Sequence, residues 1–334
     1  MFTLPRTTHR VQNETLQDKV VLVTGGAGFI GSHLCDKLLA RRLRKLIVVD
    51  DFSVGRESNI AHLRPMDNVE VLKADASDYD NMSKLIDREE VDVVFNMAVV
   101  PLPASLDAPK QCIDNNVLVT STCCELLRAG KYQTLIHCSS SEAYGTAVYV
   151  PMDESHPITP LTPYAASKIA SDHIALSYHR TFGLDLAIAR PFNAYGPRQN
   201  EGSYAAVVPI TIKRIIMGQP PVIHGDGLQT RDYTYVEDIV EAIPKIYEVK
   251  STRGLVINLA TGKEITIKNL IHMIMKLLNC SSQITYERPR PGDVRRHRGD
   301  ISLAKKLIDY SPKTDYDTGL GKTIAWYRSI LHTG

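Results

Sequence analysis

The sequence predicts an α/β fold of the Rossmann type, a doubly wound parallel sheet, followed by a smaller C-terminal α/β domain. The first observation is that short apolar runs alternate with longer amphipathic segments over residues 20–193. This alternation is typical of a parallel sheet with helices on both faces. The second is that the short runs are continuously apolar and rich in β-branched residues, as expected for strands buried on both faces. The third is a change of rhythm after Asn193, where a turn-rich stretch begins.

Strands and helices are expected at regular intervals up to Asn193 and in a looser order beyond it. The apolar runs predict strands at residues 20–25, 45–51, 69–75, 91–98, 134–140 and 184–193. The amphipathic segments predict helices at residues 29–41, 113–130 and 164–183. Later segments predict a helix and a short strand within residues 207–227, and returns to the main sheet at residues 232–249 and 255–262.

This order divides the chain into an arm and two domains. Residues 1–17 are polar and lack the apolar core of a signal peptide, so they predict an arm that is partly disordered or docks on a partner subunit. The predicted sheet domain comprises residues 18–195 and about 232–262. The predicted smaller domain comprises residues from about 196 to 231 and from 263 to 330.

Composition excludes several classes of protein. The 334 residues are 43% hydrophobic and 23% charged, with a formal net charge of +2, whereas a dedicated nucleic-acid-binding protein needs a strongly basic face. The chain has no apolar run of about 18 residues, so no membrane span is predicted. The six cysteines show neither a CxxC motif nor a spacing typical of metal ligands, and no metal site is expected. Reduced cysteines and the absence of an export signal favour the cytoplasm.

A glycine-rich turn joins the first strand to the first helix. Gly25, Gly28 and Gly31 have the spacing G-x-x-G-x-x-G. Glycine permits the tight turn and lets the backbone approach a pyrophosphate, which then faces the N-terminus of the helix. Because a strand precedes the turn and a helix follows it, the motif has its required context and predicts a dinucleotide site.

An acidic residue ends the second strand. Asp50 follows the last glycine by about 20 residues, where a carboxylate can accept hydrogen bonds from both hydroxyls of an adenosine ribose and repel a 2′-phosphate. This placement favours NAD over NADP. Arg56 could neutralise a phosphate, which leaves NADP as the alternative. Asp75 closes the third strand and is placed either to meet adenine or simply to form a turn.

A tyrosine and a lysine lie four residues apart on one predicted helix. Tyr164 and Lys168 therefore share a helix face. A tyrosine side chain in water has a pKa of about 10, so it acts as a base at neutral pH only if its anion is stabilised. A nearby ammonium and a cationic nicotinamide supply that stabilisation. This pair alone is usually a solvated helical pair, but the phosphate turn and the serine-rich strand end make a catalytic role the better interpretation.

Six motifs carry a resemblance to a known family. In chain order they are TGGAGFIGSHL, SSSEAYG, TPYAASK, RPFNAYGPRQ, QTRDYTYVEDI and RPGDVRRHRGD. Together they resemble the extended short-chain dehydrogenase/reductase family, in particular its NAD-dependent nucleotide-sugar epimerases, dehydratases and decarboxylases. The resemblance covers roughly residues 18–330.

The resemblance implies tightly bound NAD. Lys168 would bind the nicotinamide ribose and lower the pKa of Tyr164, and Asn116 would lie beneath the dinucleotide. The cofactor-binding residues that it implies are Gly25, Gly28, Phe29, Ile30, Gly31, Asp50, Asp51, Ser53, Asp75, Ala76, Met97, Ala98, Val99, Asn116, Ser139, Tyr164, Lys168 and Pro191.

The resemblance also implies a UDP-linked hexose as the substrate. Arg231 and Arg290 would grip the diphosphate and the nucleotide, a task suited to guanidinium groups. Such a polyanionic substrate accounts for the arginine-rich residues 288–298 better than nucleic acid does, because Pro and Gly interrupt the run and acidic residues flank it. The substrate-binding residues that it implies are Ser105, Asn193, Val208, Arg231, Arg290 and Asp293.

The residues after Ser140 bear on the reaction. In the family, Ser140 and Tyr164 would share the proton of the sugar 4-hydroxyl. A 4-epimerase needs no further group, whereas a dehydratase needs a base for C5–H and an acid for the C6 hydroxyl. Typical 4-epimerases have small or hydroxyl residues where Glu142 stands, so Glu142 is predicted to be the catalytic base. Ser141 stands where a partner acid is expected, which leaves the identity of that acid open.

Residues 141–168 look most like UDP-N-acetylglucosamine 4,6-dehydratases and are also similar to the tunicamycin-pathway 5,6-dehydratase. The two outcomes differ in whether hydride returns to C6 or to C4, and both remain open. A 4-epimerase is the alternative; a decarboxylase is less favoured, because no arginine near residues 101–109 offers to bind a carboxylate. A dinucleotide-sensing binding protein is the alternative outside the enzymes. Apolar stripes on the helices of residues 112–130 and 164–182 favour a homodimer.

Overall fold

The strands of the computed structural model, which describes residues 13–200, 206–290 and 292–331, form one large sheet and three small ones. In chain order they are β1 (Val20–Thr24), β2 (Lys45–Asp50), β3 (Val69–Lys73), β4 (Val93–Asn96), β5 (Thr134–Cys138), β6 (Leu186–Pro191), β7 (Ala194–Tyr195), β8 (Val222–His224), β9 (Thr230–Arg231), β10 (Thr234–Tyr235), β11 (Val256–Leu259), β12 (Ile265–Thr266) and β13 (Thr285–Glu287).

The large sheet has seven parallel strands in the order β11-β6-β5-β4-β1-β2-β3. After β1 the chain builds β2 and β3 on one side, and then crosses to build β4, β5 and β6 on the other. Strand order therefore reverses beside β1, and ligands of such sheets bind at the carboxyl ends of the strands near this point. The predicted Rossmann-type sheet is confirmed, and the six strands predicted up to Asn193 agree with β1 to β6 to within two residues at each end.

Helices cover both faces of the sheet. In chain order they are α1 (Phe29–Leu39), α2 (Glu57–Ile60), α3 (Tyr79–Glu89), α4 (Leu102–Asp107), α5 (Pro109–Arg128), α6 (Pro163–Phe182), α7 (Val207–Ile216), α8 (Val236–Glu248), α9 (Ile267–Leu277), α10 (Ser302–Ile308) and α11 (Tyr316–Leu331). Alternate residues of β1 supply the two cores. Val21 and Val23 join the cluster that contains α1 and α8, and Val20 and Leu22 join the cluster that contains α3, α5 and α6.

The segment of residues 232–249 differs from its prediction. It was expected to return to the main sheet, but β10 pairs with β7 in a separate two-stranded sheet, and α8 then packs on the face of the main sheet. The buried residues of α8 follow a helical period of three and four, as in Val236, Ile239, Val240 and Ile243. Several other helices were not predicted, among them α3 and α4 of the sheet domain. α3 buries only Met82, Leu85 and Ile86, which is a narrow apolar stripe, and α4 has six residues.

A third apolar cluster is formed by the later part of the chain. Residues of α7, α9 and α11 pack together with Tyr195 and Ile223.

The described part of the N-terminal arm docks on the same chain: Leu16 is buried, and the Glu14 carboxylate bonds to Arg253 at 2.6 Å. Residues 1–12 lie outside the described residues, so the predicted contact of the arm with a partner subunit stays a prediction.

The described residues offer neither a membrane-spanning helix nor a metal cluster. Throughout residues 13–200, 206–290 and 292–331, no helix is long and apolar enough to span a membrane. In those same ranges no group of three or more His, Cys, Asp or Glu is placed to hold a metal ion.

Burial raises the pKa of the Cys123 thiol to about 12 and that of Cys138 to about 11, so both thiols stay protonated at neutral pH.

Candidate active site

A cleft of about 370 Å³ opens at the carboxyl ends of the parallel strands, beside the point where strand order reverses. It is lined by the glycine turn, the ends of β2, β4, β5 and β6, and the start of α6. Predicted site residues that line it are Gly25, Gly28, Phe29, Ile30, Gly31, Asp50, Asp51, Ser53, Asp75, Ala76, Met97, Ala98, Val99, Ser139, Ser140, Ser141, Glu142, Tyr164, Lys168, Pro191 and Asn193.

The glycine turn leaves no room for side chains. Gly25 has φ +63°, and a Cβ there would lie 2.6 Å from the Cα of Ala98. A Cβ on Gly31 would lie 2.1 Å from the carbonyl oxygen of Gly25. α1 begins directly after Gly28, which is its N-cap residue. Because glycine has no side chain, no side-chain oxygen accepts a hydrogen bond from the first amides of the helix. Backbone N–H groups at the start of α1 can therefore bind an anion such as a pyrophosphate.

Asp50 joins the glycine turn to the loop after β2. Its carboxylate accepts hydrogen bonds from Ala27 N at 2.9 Å and from Phe52 N at 2.8 Å. Burial raises the pKa of Asp50, since desolvation disfavours the charged form. A Cβ on Gly55 would lie 2.6 Å from the carboxylate, so the loop passes close over it. Arg56 also lines the cleft, as the NADP alternative requires.

Tyr164 and Lys168 lie one turn apart at the start of α6. Thr162 caps this helix, because its Oγ1 accepts a hydrogen bond from Ala165 N at 3.1 Å. Lys168 is 3% exposed, and its Nζ donates to Cys138 O at 2.6 Å. Burial lowers the pKa of Lys168 and raises that of Tyr164, while the hydrogen bond of the phenol with Ser140 works against the latter shift. Desolvation of the phenolate therefore outweighs the contacts that these residues supply, and the lowering of the Tyr164 pKa by Lys168 together with a bound nicotinamide stays a prediction.

Residues 140–145, which we call the catalytic turn, follow the end of β5. Ser140 caps a short 3₁₀ helix, and its Oγ accepts from Glu142 N at 3.2 Å. Burial raises the pKa of the Glu142 carboxyl, and Asp293 adds to this effect while Arg231 opposes it. A carboxyl group with a raised pKa in a cleft, beside a hydroxyl and a phenol, has the environment of a general acid or base.

Arg231 and Asp293 form an ion pair whose two charges act on the pKa of Glu142. Arg231 is 6% exposed, and its guanidinium also donates to Thr230 O at 2.9 Å. Neither residue lines the cleft itself. Val208 is buried in the first turn of α7, and Arg290 is exposed beside residue 291, which lies outside the described residues. As contacts of a substrate, these four residues remain predictions.

Two other predicted residues are buried away from the cleft. Asn116 is 2% exposed; its Oδ1 accepts from Val100 N at 2.7 Å, and its Nδ2 donates to Ser167 Oγ at 2.9 Å. Asn116 thus holds the backbone of a cleft-lining residue rather than lining the cleft. Ser105 is fully buried, and its hydroxyl donates to Leu102 O at 2.7 Å. That bond gives it a structural role in α4, and its predicted contact with the sugar stays a prediction.

A buried polar network below the catalytic turn was missed by sequence reasoning. Asp172 lies one turn after Lys168 on α6, and its Oδ2 accepts from Ser139 Oγ at 2.5 Å and from Arg190 at 2.7 Å. The Arg190 guanidinium stacks over the ring of Tyr144, with 4.5 Å to the ring centroid. The position of Asp172 on the helix face of Tyr164 and Lys168 was the available signal, since the spacing of four residues continues.

The network extends across the sheet to the glycine turn. Thr24 Oγ1 donates to Asn96 Oδ1 at 2.7 Å, and Asn96 Nδ2 donates to His137 Nδ1 at 3.2 Å. Burial lowers the pKa of His137, which is therefore neutral and carries its proton on Nε2. That nitrogen lies 3.5 Å from Asp172 Oδ1. A chain of polar contacts thus connects β1, β4, β5 and α6 beneath the cleft.

The arginine-rich segment is largely paired within the chain. Arg295 bonds to Asp226 at 2.8 Å, Arg296 forms an ion pair with Glu264, and Arg298 donates to Gly262 O at 2.9 Å. Its charge is thus met locally by acidic groups and a carbonyl.

Three known proteins and one family model are similar to this chain over most of its length. The family model described as GDP-mannose 4,6 dehydratase matches residues 22–323. A relative from Methanocaldococcus jannaschii, named putative UDP-glucose 4-epimerase, is 35% identical over 316 residues, which are 94% of this chain and 100% of that protein.

Two solved structures share the fold. UDP-N-acetylglucosamine 4-epimerase from Methanobrevibacter ruminantium, in complex with UDP-N-acetylmuramic acid, is 35% identical with a TM-score of 0.86, covering 94% of this chain and 99% of its own. The dTDP-glucose 4,6-dehydratase of Streptomyces venezuelae, solved with NAD bound, is 28% identical with a TM-score of 0.89, covering 94% and 98%. Epimerases and dehydratases therefore both occur among the proteins that share this structure.

The buried Asp172–Arg190 pair predicts a large loss of stability when one partner is removed. Asp172→Ala leaves the charge of Arg190, 2% exposed, without a partner, which we expect to lower the free energy of unfolding by about 3–5 kcal/mol. Asp226→Ala is the matched control, since it breaks the exposed pair with Arg295 and should change stability little. Urea unfolding followed by circular dichroism measures both, and equal losses in the two variants would contradict the importance of the buried pair.

Proposed function

The chain belongs to the NAD-dependent nucleotide-sugar epimerase/dehydratase family of extended short-chain dehydrogenases/reductases, and from this premise we propose that it is a nucleotide-sugar dehydratase. The proposed substrate is a UDP-hexose, with UDP-N-acetylglucosamine favoured. The observation that carries the proposal is Glu142, which lines the cleft two residues after Ser140 and has a pKa raised by burial.

The residues at the glycine turn fit a dinucleotide. Cβ atoms on Gly25 or Gly31 would collide with backbone, and the first amides of α1 have no side-chain cap, so the turn suits the close approach of a pyrophosphate. We propose NAD rather than NADP, because the Asp50 carboxylate lines the cleft at the end of β2. NAD, when bound, would accept a hydride from C4 of the sugar and later return it to C6 or C4.

Tyr164, with Ser140, is proposed to take the proton of the C4 hydroxyl. Burial keeps the phenol protonated at rest, so the developing phenolate needs a positive charge nearby. The Lys168 ammonium, held one helical turn away by its bond to Cys138 O, supplies that charge. The hydrogen bond of Ser139 with Asp172 holds the start of the catalytic turn against α6.

Glu142 is proposed to remove the C5 proton, which a C4 ketone makes acidic. A carboxylate whose pKa is raised is a stronger base than one with its ordinary pKa. Ser141 is 2% exposed and offers no carboxylate for the departing C6 oxygen. The same Glu142 would therefore carry the proton from C5 to that oxygen.

A UDP-sugar 4-epimerase is the second candidate. It is favoured by the name of the relative from Methanocaldococcus jannaschii and by the epimerase structure at 35% identity. An epimerase would use Ser140, Tyr164 and Lys168 in the same way and would have no use for Glu142 as a base.

The assembly proposed is a homodimer in the cytoplasm. α5 and α6 pack along each other, and they leave the apolar side chains of Leu118 and Phe182 half exposed, at 50% and 53%. A second copy of the chain that covered these helices would bury both side chains. The molar mass of the protein in solution would show whether such a dimer forms. The cysteines among the described residues are unpaired, which suits a reducing compartment.

Incubation with UDP-N-acetylglucosamine in deuterated water tests the reaction directly. If hydride returns to C6, the product should have lost one water and carry one deuterium at C5, because C5 then takes a deuteron from the solvent. If hydride returns to C4, the product should have lost one water and carry no deuterium, because the C5–C6 double bond remains. Mass spectrometry and NMR of the product measure both features and also distinguish return of hydride to C6 from return to C4. A C4 epimer without loss of water would replace this proposal by the second candidate.

Replacement of Glu142 tests its role as the base. We expect Glu142→Gln to reduce water elimination by about 10²–10⁴-fold, the usual contribution of a general base, while transient nicotinamide reduction remains. The wild-type rate should also fall at low pH, because a base works deprotonated, through a pKa above the ordinary value of 4.5. Glu154→Gln is the control, as this partly buried carboxylate lies outside the cleft. Unchanged elimination in Glu142→Gln would show that Glu142 is not the base.

A matched pair of glycine variants tests the cofactor site. Gly31→Ala places a methyl group 2.1 Å from a carbonyl oxygen of the turn, so this protein should be purified without bound dinucleotide. Gly321→Ala, where a Cβ meets no atom within 4 Å, should retain it. Mass spectrometry of the nucleotide released on denaturation measures the occupancy, and release of NADP from wild type would contradict the choice of NAD.

A further inference from the structure

Residues 293–300, which we call the substrate segment, bond to the strand end that carries Arg231. Thr230 N donates to Arg295 O at 3.0 Å. The Asp293 carboxylate pairs with the Arg231 guanidinium. The substrate segment and Arg231 are therefore one hydrogen-bonded unit.

The same segment bonds to the chain at the end of the catalytic turn. Arg295 N donates to Thr146 Oγ1 at 3.0 Å, and Ala147 N donates to Arg296 O at 3.0 Å. The substrate segment thus connects the predicted nucleotide-binding side of the cleft to the residues that follow Glu142.

One side-chain contact reaches the turn itself. His297 Nε2 lies 2.7 Å from the carbonyl oxygen of Gly145. Gly145 N in turn donates to Glu142 O at 3.1 Å, so Gly145 connects the His297 ring to the backbone of Glu142. Gly145 has φ +71°, and a Cβ there would lie 2.0 Å from Thr159 O, so only glycine fits at this position. The histidine therefore bonds to the residue of the turn that has the greatest intrinsic backbone freedom.

The surroundings of the His297 ring make it a hydrogen-bond donor to Gly145 O. It is fully buried and lies against the ring of Phe192, with 5.9 Å between centroids. Burial lowers its pKa to about 3, and the charge of Arg231 adds to this, so the ring is neutral at pH 7. A carbonyl oxygen only accepts, so the proton is on Nε2. The other nitrogen, Nδ1, has no partner among the described residues.

That unpaired nitrogen costs stability, since a buried polar atom without a hydrogen bond loses its contacts with water. A leucine would occupy a similar volume without this cost. The histidine is therefore better explained by the hydrogen bond that its Nε2 donates than by packing.

We propose that His297 is a positioning residue that couples the substrate segment to the catalytic turn, so that a nucleotide bound at Arg231 and Asp293 orders the backbone of Glu142. This inference rests on the proposed nucleotide-sugar substrate. It concerns the ordering of the turn, and it holds whether the enzyme eliminates water or epimerises.

Hydrogen–deuterium exchange with UDP as the probe tests the coupling in the NAD-bound protein. In wild type, UDP should slow amide exchange in peptides that cover residues 293–300 and in those that cover 141–147. In His297→Leu, protection of residues 293–300 should remain and protection of 141–147 should be lost. His297→Gln should restore it, because the amide of Gln can donate to Gly145 O.

Each outcome of the exchange experiment is decisive. Protection of residues 293–300 alone in wild type, or of both segments in His297→Leu, would overturn the coupling and leave the substrate class standing. Protection of neither segment in wild type would contradict the nucleotide site, and the coupling would fall with it. If His297→Leu does not fold, Thr146→Val replaces it, since it removes the acceptor of Arg295 N and should weaken the protection of 141–147.

Turnover gives a second measurement. We expect His297→Leu to lower kcat about 10–100-fold, the effect of misplacing a catalytic group by about 1 Å, with KM changed less than kcat. His297→Gln should regain most of the loss. A purely structural role would give a loss of stability that the Gln variant shares, with kcat per folded molecule unchanged, and that result would also overturn the proposal.

Discussion

The buried contact between the Asp172 carboxylate and the Arg190 guanidinium connects the elements that carry the proposed catalytic residues. α6 bears Asp172 together with Tyr164 and Lys168, β6 bears Arg190, and Ser139 at the end of β5 donates to the same carboxylate oxygen. A buried ion pair is tolerated only where its geometry is good and its remaining hydrogen-bonding capacity is used. The contact therefore fixes α6 against the ends of β5 and β6, where residues 140–145 begin.

Desolvation shifts the pKa values of three side chains in the cleft. It raises the pKa of Tyr164 and of Glu142 and lowers that of Lys168, because each charged form loses contact with water. Glu142 and Lys168 are thereby brought closer to each other in proton affinity, while the Tyr164 phenol holds its proton more firmly until a positive charge stabilises its anion. A raised pKa makes the Glu142 carboxylate a stronger base. Arg231 and Asp293 act on that pKa in opposite directions, since Arg231 lowers it and Asp293 raises it.

The fold alone does not choose between the reactions of its relatives. An epimerase and a dehydratase share this structure, with TM-scores of 0.86 and 0.89. Both begin with oxidation at C4, so the choice depends on a few groups around the ketone. In this chain the group in question is Glu142, and its backbone is held from one side by Ser140 and from the other by the contact of His297 with Gly145.

Local patterns in the sequence were enough to predict the strands of the main sheet, the glycine turn and the Tyr164–Lys168 pair, because periodicity and short-range spacing determine each of them. Most residues predicted for the dinucleotide line the cleft for the same reason, since they follow directly after parallel strands. Tertiary structure decided what depends on distant segments. Residues 232–249 form β10 and α8 instead of joining the main sheet, and Asn116 bonds to Val100 instead of lining the cleft. Asp172, Arg190 and His297 contact the residues at and after the end of β5. The spacing of Asp172 from Lys168 places it on the same face of α6, but its partners Ser139 and Arg190 are brought to it only when distant segments pack together.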